Sequence, residues 1–190
     1  MTSSAARPPA RGGDTRRTRD GIPWVDTMIV GIWPDAAATR AVRGAAGLRR
    51  MTLGIAVLVI AQMSVGMIVN LYVTVPVHHP GAQPANYFDG SLHSVAWAIG
   101  HGAPALAIHT SLGLAVAAIA IWVAIRAVRL RSGGVAFASV LAAALVIGAG
   151  FNGASFVDFN HNVSSLLMAL LALGALSCYL VALYLLPAHR

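Results

Sequence analysis

Four long apolar runs dominate the pattern of hydrophobic and polar positions, and most of their ends carry Arg, Pro, Gly or Asn. They cover about residues 53–75, 105–128, 135–156 and 163–186. Each reaches the roughly 20 residues that a helix needs to cross a hydrocarbon core about 30 Å thick. A helix satisfies its own backbone hydrogen bonds where water is absent, so the runs predict four transmembrane helices. A shorter segment, Ser91 to Gly102, predicts a helix in the first long loop, with His93, Trp97 and His101 recurring every four residues. The fold class is therefore all-α: an integral membrane four-helix bundle over residues 51–190, preceded by a tail over residues 1–50.

The tail is read as largely disordered, because its first twenty residues hold too few apolar side chains to offset chain entropy. Within it, Ile22 to Trp33 is locally apolar and carries Trp24 and Trp33. That stretch suits a membrane surface but is too short to span. A translation start at Met28 or Met51 is the other reading of this region. The first apolar run is too long for a signal-peptide core and is followed by no Ala-x-Ala site.

Composition agrees and narrows the function classes. Hydrophobic residues make up 57% of the 190 and charged residues only 10%, with a mean hydropathy of +0.73. A soluble domain carries about a quarter charged residues, so the deficit argues strongly against a water-soluble enzyme. All 13 basic residues are Arg and all six acidic ones are Asp. Mechanisms built on a Lys Schiff base or a Glu base are thereby excluded. Cys178 is the only cysteine, which leaves no internal disulfide, thiolate zinc site or Cys-ligated iron–sulfur cluster.

Charge placement sets the expected orientation. Nine Arg lie in residues 1–50, three in the second loop (Arg126, Arg129, Arg131) and one at the C-terminus (Arg190). Loops 76–104 and 157–162 contain none. The positive-inside rule then places both termini in the cytoplasm. His78, His79, His93, His101, His109 and His161 fall at or near the opposite face, with Asp89 and Asp158. The basic charge is topological and points to no nucleic acid. Arg without Lys, with abundant Ala, fits a GC-rich genome and a bacterial plasma membrane.

Two histidines stand out. His109 lies five residues beyond Pro104, about 8 Å into the second span at 1.5 Å per residue. His161 opens the fourth span. Ionisable groups inside spans are costly and are functional candidates by default. Both lie near positive helix-dipole ends, a setting that suits the neutral imidazole a metal ligand requires. If spans two and four face each other, the pair can bind a haem iron axially. Gly113, Gly148, Gly150 and Gly153 would leave room for the flat macrocycle. The two halves are also weakly alike, with Gln62-x-x-x-Gly66 in span one and Ala149-x-x-x-Gly153 in span three.

These pieces resemble a known architecture. Gln62-Met63-Ser64-Val65-Gly66, His109-x-x-x-Gly113-Leu114, Gly153 and His161 look like one half of the haem A synthase fold and related four-helix b-type membrane cytochromes. The resemblance covers about residues 53–186 and implies haem b with His109 and His161 as axial ligands. The family's acidic residue ahead of its reactive His is replaced here by Leu106, and its outer-loop cysteines are absent. The resemblance therefore implies a bound redox haem for electron transfer, or an accessory subunit beside other membrane redox subunits. It does not imply oxidation of a haem substituent.

Other readings of the same residues stay open. The loop histidines, His93 and His101 first, offer imidazole ligands for a metal such as Zn or Cu. Interfacial histidines also simply bond backbone or water. Gln62 and Asn70 read first as interhelical hydrogen-bonding groups. Met63 and Met67 read as packing, Trp122, Tyr179 and Tyr184 as interfacial anchors, and Asp158 as a cap or a solvated group. The functional alternative to haem binding is a non-catalytic membrane assembly or interaction subunit without cofactor. A transporter ranks third, since the spans hold no charged residue.

The orientation has a direct check. A reporter that matures only in the cytoplasm is expected to be active when fused after Arg131 or at the C-terminus, and silent when fused within residues 80–90. The reverse pattern would overturn it.

Overall fold

The structure, a computed structural model, describes residues 36–187. Five helices follow in order: α1 (Ala36–Tyr72), α2 (Tyr87–His101), α3 (Pro104–Arg129), α4 (Gly133–Phe159) and α5 (Asn162–Leu185). The described residues contain no strand. Helices α1, α3, α4 and α5 are each long and apolar enough to cross a membrane, in agreement with the four expected spans.

Local sequence explains where the boundaries depart from expectation. The tail's expected disorder and the apolar stretch Ile22–Trp33 lie outside the described residues up to position 35. From Ala36 the chain is helical, well before the expected span start. Ala36–Arg50 consists mostly of Ala, Arg and Leu, the strongest helix formers. At 1.5 Å per residue α1 is about 55 Å long, so its arginine-bearing start extends beyond a hydrocarbon core. It ends at Tyr72, where β-branched Val73, Thr74 and Val75 lead into Pro76, which bars helical geometry from the residue before it. Helix α2 starts four residues before the expected Ser91, because Asn86 caps it. The Asn86 side chain accepts from the N–H groups of Phe88 (3.1 Å) and Asp89 (3.3 Å).

The spanning helices form a closed ring. Helix α4 packs on both α3 and α5. Helix α1 closes the circuit, meeting α3 through Gln62 and His109, and α5 through Asn70 and Ser165. The backbones of α3 and α5 do not approach each other, and the two helices stand at opposite corners.

At the arginine end the ring closes tightly. Ile55, Val116, Ala120, Val123, Ala127, Ala142, Ala175 and Ala182 belong to one buried cluster, and the many Ala let backbones approach closely. Tyr179 lies fully buried in this cluster, so it is a core residue and not the expected interfacial anchor. Its register explains this, since Ala175, Tyr179 and Ala182 share the one stripe of α5 that faces the bundle. Tyr184 and Trp122 do face outward. Arg49 donates to the carbonyls of Leu183 (2.9 Å) and Leu186 (3.0 Å), capping the end of α5 from α1.

At the other end, which carries loop 73–86, α2 lies against α3 and α4. Gly90, Ser91, Ser94 and Ala98 form its inward face, while Phe88, Leu92 and Ile99 are exposed. Tyr87 fixes its start, with its hydroxyl 2.9 Å from the Phe151 carbonyl and 2.8 Å from Ser155 Oγ. Gly81 brings the loop onto α2 at a φ of 93°, and a Cβ there would stand 2.5 Å from both Gly90 O and Ser94 Oγ. Gly81→Ala is accordingly expected to cost about 2 kcal/mol or more, from left-handed backbone and collision together. Thermal unfolding in detergent reads this as a lowered midpoint, and an unchanged midpoint would contradict the contact.

Candidate functional site at the loop end

Helix α3 begins with Pro104, which presets the first turn, and carries His109 as its sixth residue. The ring lies against Gly66 of α1, where a Cβ would stand 2.8 Å from His109 Cε1. One turn earlier on α1, Gln62 donates its amide to the His109 carbonyl at 3.0 Å, with the same nitrogen 3.4 Å from His109 Nε2. Gly113, one turn beyond His109, receives Gln62 in return: a Cβ there would stand 3.0 Å from Gln62 Nε2. The two glycine-containing motifs thus interlock, each glycine taking the polar side chain of the other helix. The reading of Gln62 and Asn70 as interhelical groups holds, since Ser165 of α5 donates to Asn70 Oδ1 at 3.0 Å.

This seam leaves two polar atoms over. With the Gln62 amide donating to the His109 carbonyl, His109 Nε2 faces a donor, which assigns the hydrogen to Nδ1. His109 Nδ1 and Gln62 Oε1 are both buried and without a partner. A buried polar group left unpaired costs about 1–3 kcal/mol, so each is an atom to account for.

His161 is placed differently. It is the N-cap position of α5, exposed, with its ring 6.0 Å from that of Phe159. The two expected ligands therefore sit on helices at opposite corners, one turned into the bundle and one on its rim. The second hairpin does not repeat the first through His161. Gly153, the counterpart of Gly66, lies beside Met168, whose Sδ would be 3.2 Å from an added Cβ. Met168 is the seventh residue of α5, much as His109 is the sixth of α3. Residue-by-residue matching by histidine alone misses this.

The glycines expected to leave space are mostly occupied. Gly113 faces Gln62, Gly148 faces Leu171 and Gly153 faces Met168, while nothing lies within 4 Å of a Cβ on Gly150. Burial is light in this half of the bundle. In α3 no residue between Leu106 and Val116 is buried, and in α5 none before Ala175, although both helices are buried towards the arginine end. His109 sits in this lightly buried half.

The loop histidines do not assemble a metal centre. Among the described residues no three His, Cys, Asp or Glu side chains come together. His93 is exposed, its Nδ1 2.8 Å from the Asp89 carbonyl, and His101 is exposed at the end of α2. Trp97, between them in sequence, packs inward beneath His79, with ring centroids 4.3 Å apart and planes 16° from parallel. His79 also ties the loop to α4, its Nε2 lying 3.1 Å from the Val157 carbonyl.

Asp158 corrects its expectation outright. It neither caps α5 nor faces water: it is 2% exposed and accepts a 2.9 Å bond from Ser91 Oγ. Helix α4 runs past its expected end near residue 156 to Phe159, which turns Asp158 onto the face covered by α2. No family model matches this chain, and neither a curated protein nor a solved structure shows significant similarity to it.

The interlock has a sharp test within one helix. Gly66→Ala is expected to cost about 1–3 kcal/mol, since the added methyl meets the His109 ring and the helices must part. Gly54→Ala, with nothing within 4 Å of its added Cβ, is expected to be neutral or slightly stabilising. Equal effects in a detergent unfolding assay would remove the interlock.

Proposed function

We propose that this multi-pass membrane protein binds a b-type haem in the loop-end half of its bundle, with His109 as an axial ligand. Its role is electron transfer or service as an accessory subunit of a membrane redox complex. One observation carries the reading: an imidazole inside a span, held through its backbone carbonyl by Gln62, on a stretch of α3 where no residue between Leu106 and Val116 is buried. Imidazole is a haem ligand, and its second-position contacts set ring orientation. Gln62 fixes the His109 backbone by its 3.0 Å bond to the carbonyl, and iron at Nε2 would replace the longer 3.4 Å contact of the ring. The opposite ligand is His161, on turning inward from Phe159, or Met168, whose thioether already lies in the bundle. A bound haem supplies one-electron chemistry, while the chain holds it, orients it and keeps it from water. By the arginine distribution this half faces away from the cytoplasm, in a plasma membrane.

The second reading, an assembly or interaction subunit without cofactor, is favoured by the interlock itself. Packing against Gly66 and bonding to Gln62 give His109 a complete role in joining α1 to α3.

A reduced-minus-oxidised spectrum of protein purified in detergent after haem-supplemented expression separates the two. Sharp α and Soret bands are expected, abolished in His109→Ala and altered in whichever of His161→Ala and Met168→Ala removes the second ligand. A featureless spectrum from folded protein, or bands untouched in His109→Ala, would leave the assembly reading.

A further inference from the structure

Beneath loop 73–86 lies a second polar centre, separate from the His109 seam. Asp158, on the last turn of α4, is 2% exposed; Ser91 is 8% and Ser94 0% exposed on the inward face of α2. Ser91 Oγ donates to Asp158 Oδ2 at 2.9 Å. Asp158 Oδ1 and Ser94 Oγ, both buried, have no partner. Ser94 Oγ lies hard against Gly81 of the loop, 2.5 Å from where a Cβ on that glycine would stand. The loop is tied to the same spot, with Gln83 N–H donating to the Asp158 carbonyl at 3.0 Å.

Among the described residues no basic side chain pairs with the carboxylate. The sequence has no Arg or Lys from 51 to 125 or from 132 to 187. His79 lies close by in the loop, with Nε2 and Nδ1 3.1 and 3.0 Å from the Val157 and Pro80 carbonyls, and makes no ion pair with Asp158. Asp158 also sits at the carbonyl end of α4, where the helix dipole adds negative potential. An unpaired buried charge at such a place is strongly unfavourable unless a counter-charge joins it.

The available donors are all oxygens: a carboxylate and two hydroxyls. Oxygen sets select hard cations over Zn or Cu. A single carboxylate matches a single positive charge, whereas Ca²⁺ is usually held by more acidic sets of six to eight oxygens. We propose that Asp158, Ser91 and Ser94 form a site for a hard monovalent cation, sodium in physiological media. The bound ion pins α2 and its loop onto the end of α4. This site stands whether or not the bundle binds haem.

The full chain in detergent is the test material, in sodium chloride or choline chloride at equal ionic strength and pH. Sodium is expected to raise the unfolding midpoint by about 2–4 °C over choline, saturably. It is also expected to slow hydrogen exchange in residues 79–94 more than elsewhere. Asp158→Asn, which keeps the shape and removes the charge, is expected to lose the sodium dependence. Ser94→Ala, the milder change, is expected to weaken it should the first variant fold poorly. Equal midpoints in sodium and choline overturn the proposal, as does a sodium effect that persists in Asp158→Asn or protects residues far from 79–94. Stabilisation by calcium with none by sodium overturns the monovalent assignment.

Discussion

Close approach of helices at small residues is the constraint on which this structure depends. Lipid is as apolar as the side chains, so helices in it gain little by hydrophobic burial alone and rely on packing and interhelical hydrogen bonds. At the arginine end Ala120, Ala127, Ala142, Ala175 and Ala182 provide that packing. At the loop end Gly66 and Gly113 provide it, and each admits a polar side chain from the other helix. The same glycines that join α1 to α3 thereby decide where the one deep in-span imidazole sits.

The two ends of the bundle differ in what they do with this closeness. The arginine end is filled and capped, with Arg49 satisfying carbonyls at the end of α5. The loop end is built from polar contacts that tie different elements together: Gln62 to His109, Asn70 to Ser165, Tyr87 to α4, His79 to Trp97, Ser91 to Asp158. Several of them leave an atom unpaired, at His109, Gln62, Ser94 and Asp158. The arginine end has two such atoms of its own, Ser139 Oγ and Tyr179 OH, but there they stand among apolar side chains rather than between polar ones.

Much of this was legible in the chain. The four spans follow from run length, and the polar partners on α1 from the spacing of Gln62, Gly66 and Asn70. His109 was legible because an imidazole inside an apolar run is conspicuous. Less visible was Met168, which occupies against Gly153 the place His109 occupies against Gly66. A methionine in an apolar run has no compositional contrast, and the search for a matching histidine drew attention to His161 on the rim. Asp158 was misread because burial at a helix end depends on what covers it, and the covering helix α2 begins at a cap, Asn86, four residues ahead of the expected start. Asn86 followed three residues later by Asp89 was the available signal.

The sequence alone determined the class of molecule, since run length and scarcity of charge admit only a membrane bundle, and the arginine distribution gives its expected orientation. It also named His109, because burying an imidazole in a span is costly enough to be noticed in one dimension. Which side chains meet was settled by the tertiary structure. Helix rotation places Tyr179 in the core, turns His109 onto Gly66, leaves His161 on the rim and seals Asp158 beneath α2. Those rotations follow from how small residues on four helices fit together at once, a condition that no single segment of the chain contains.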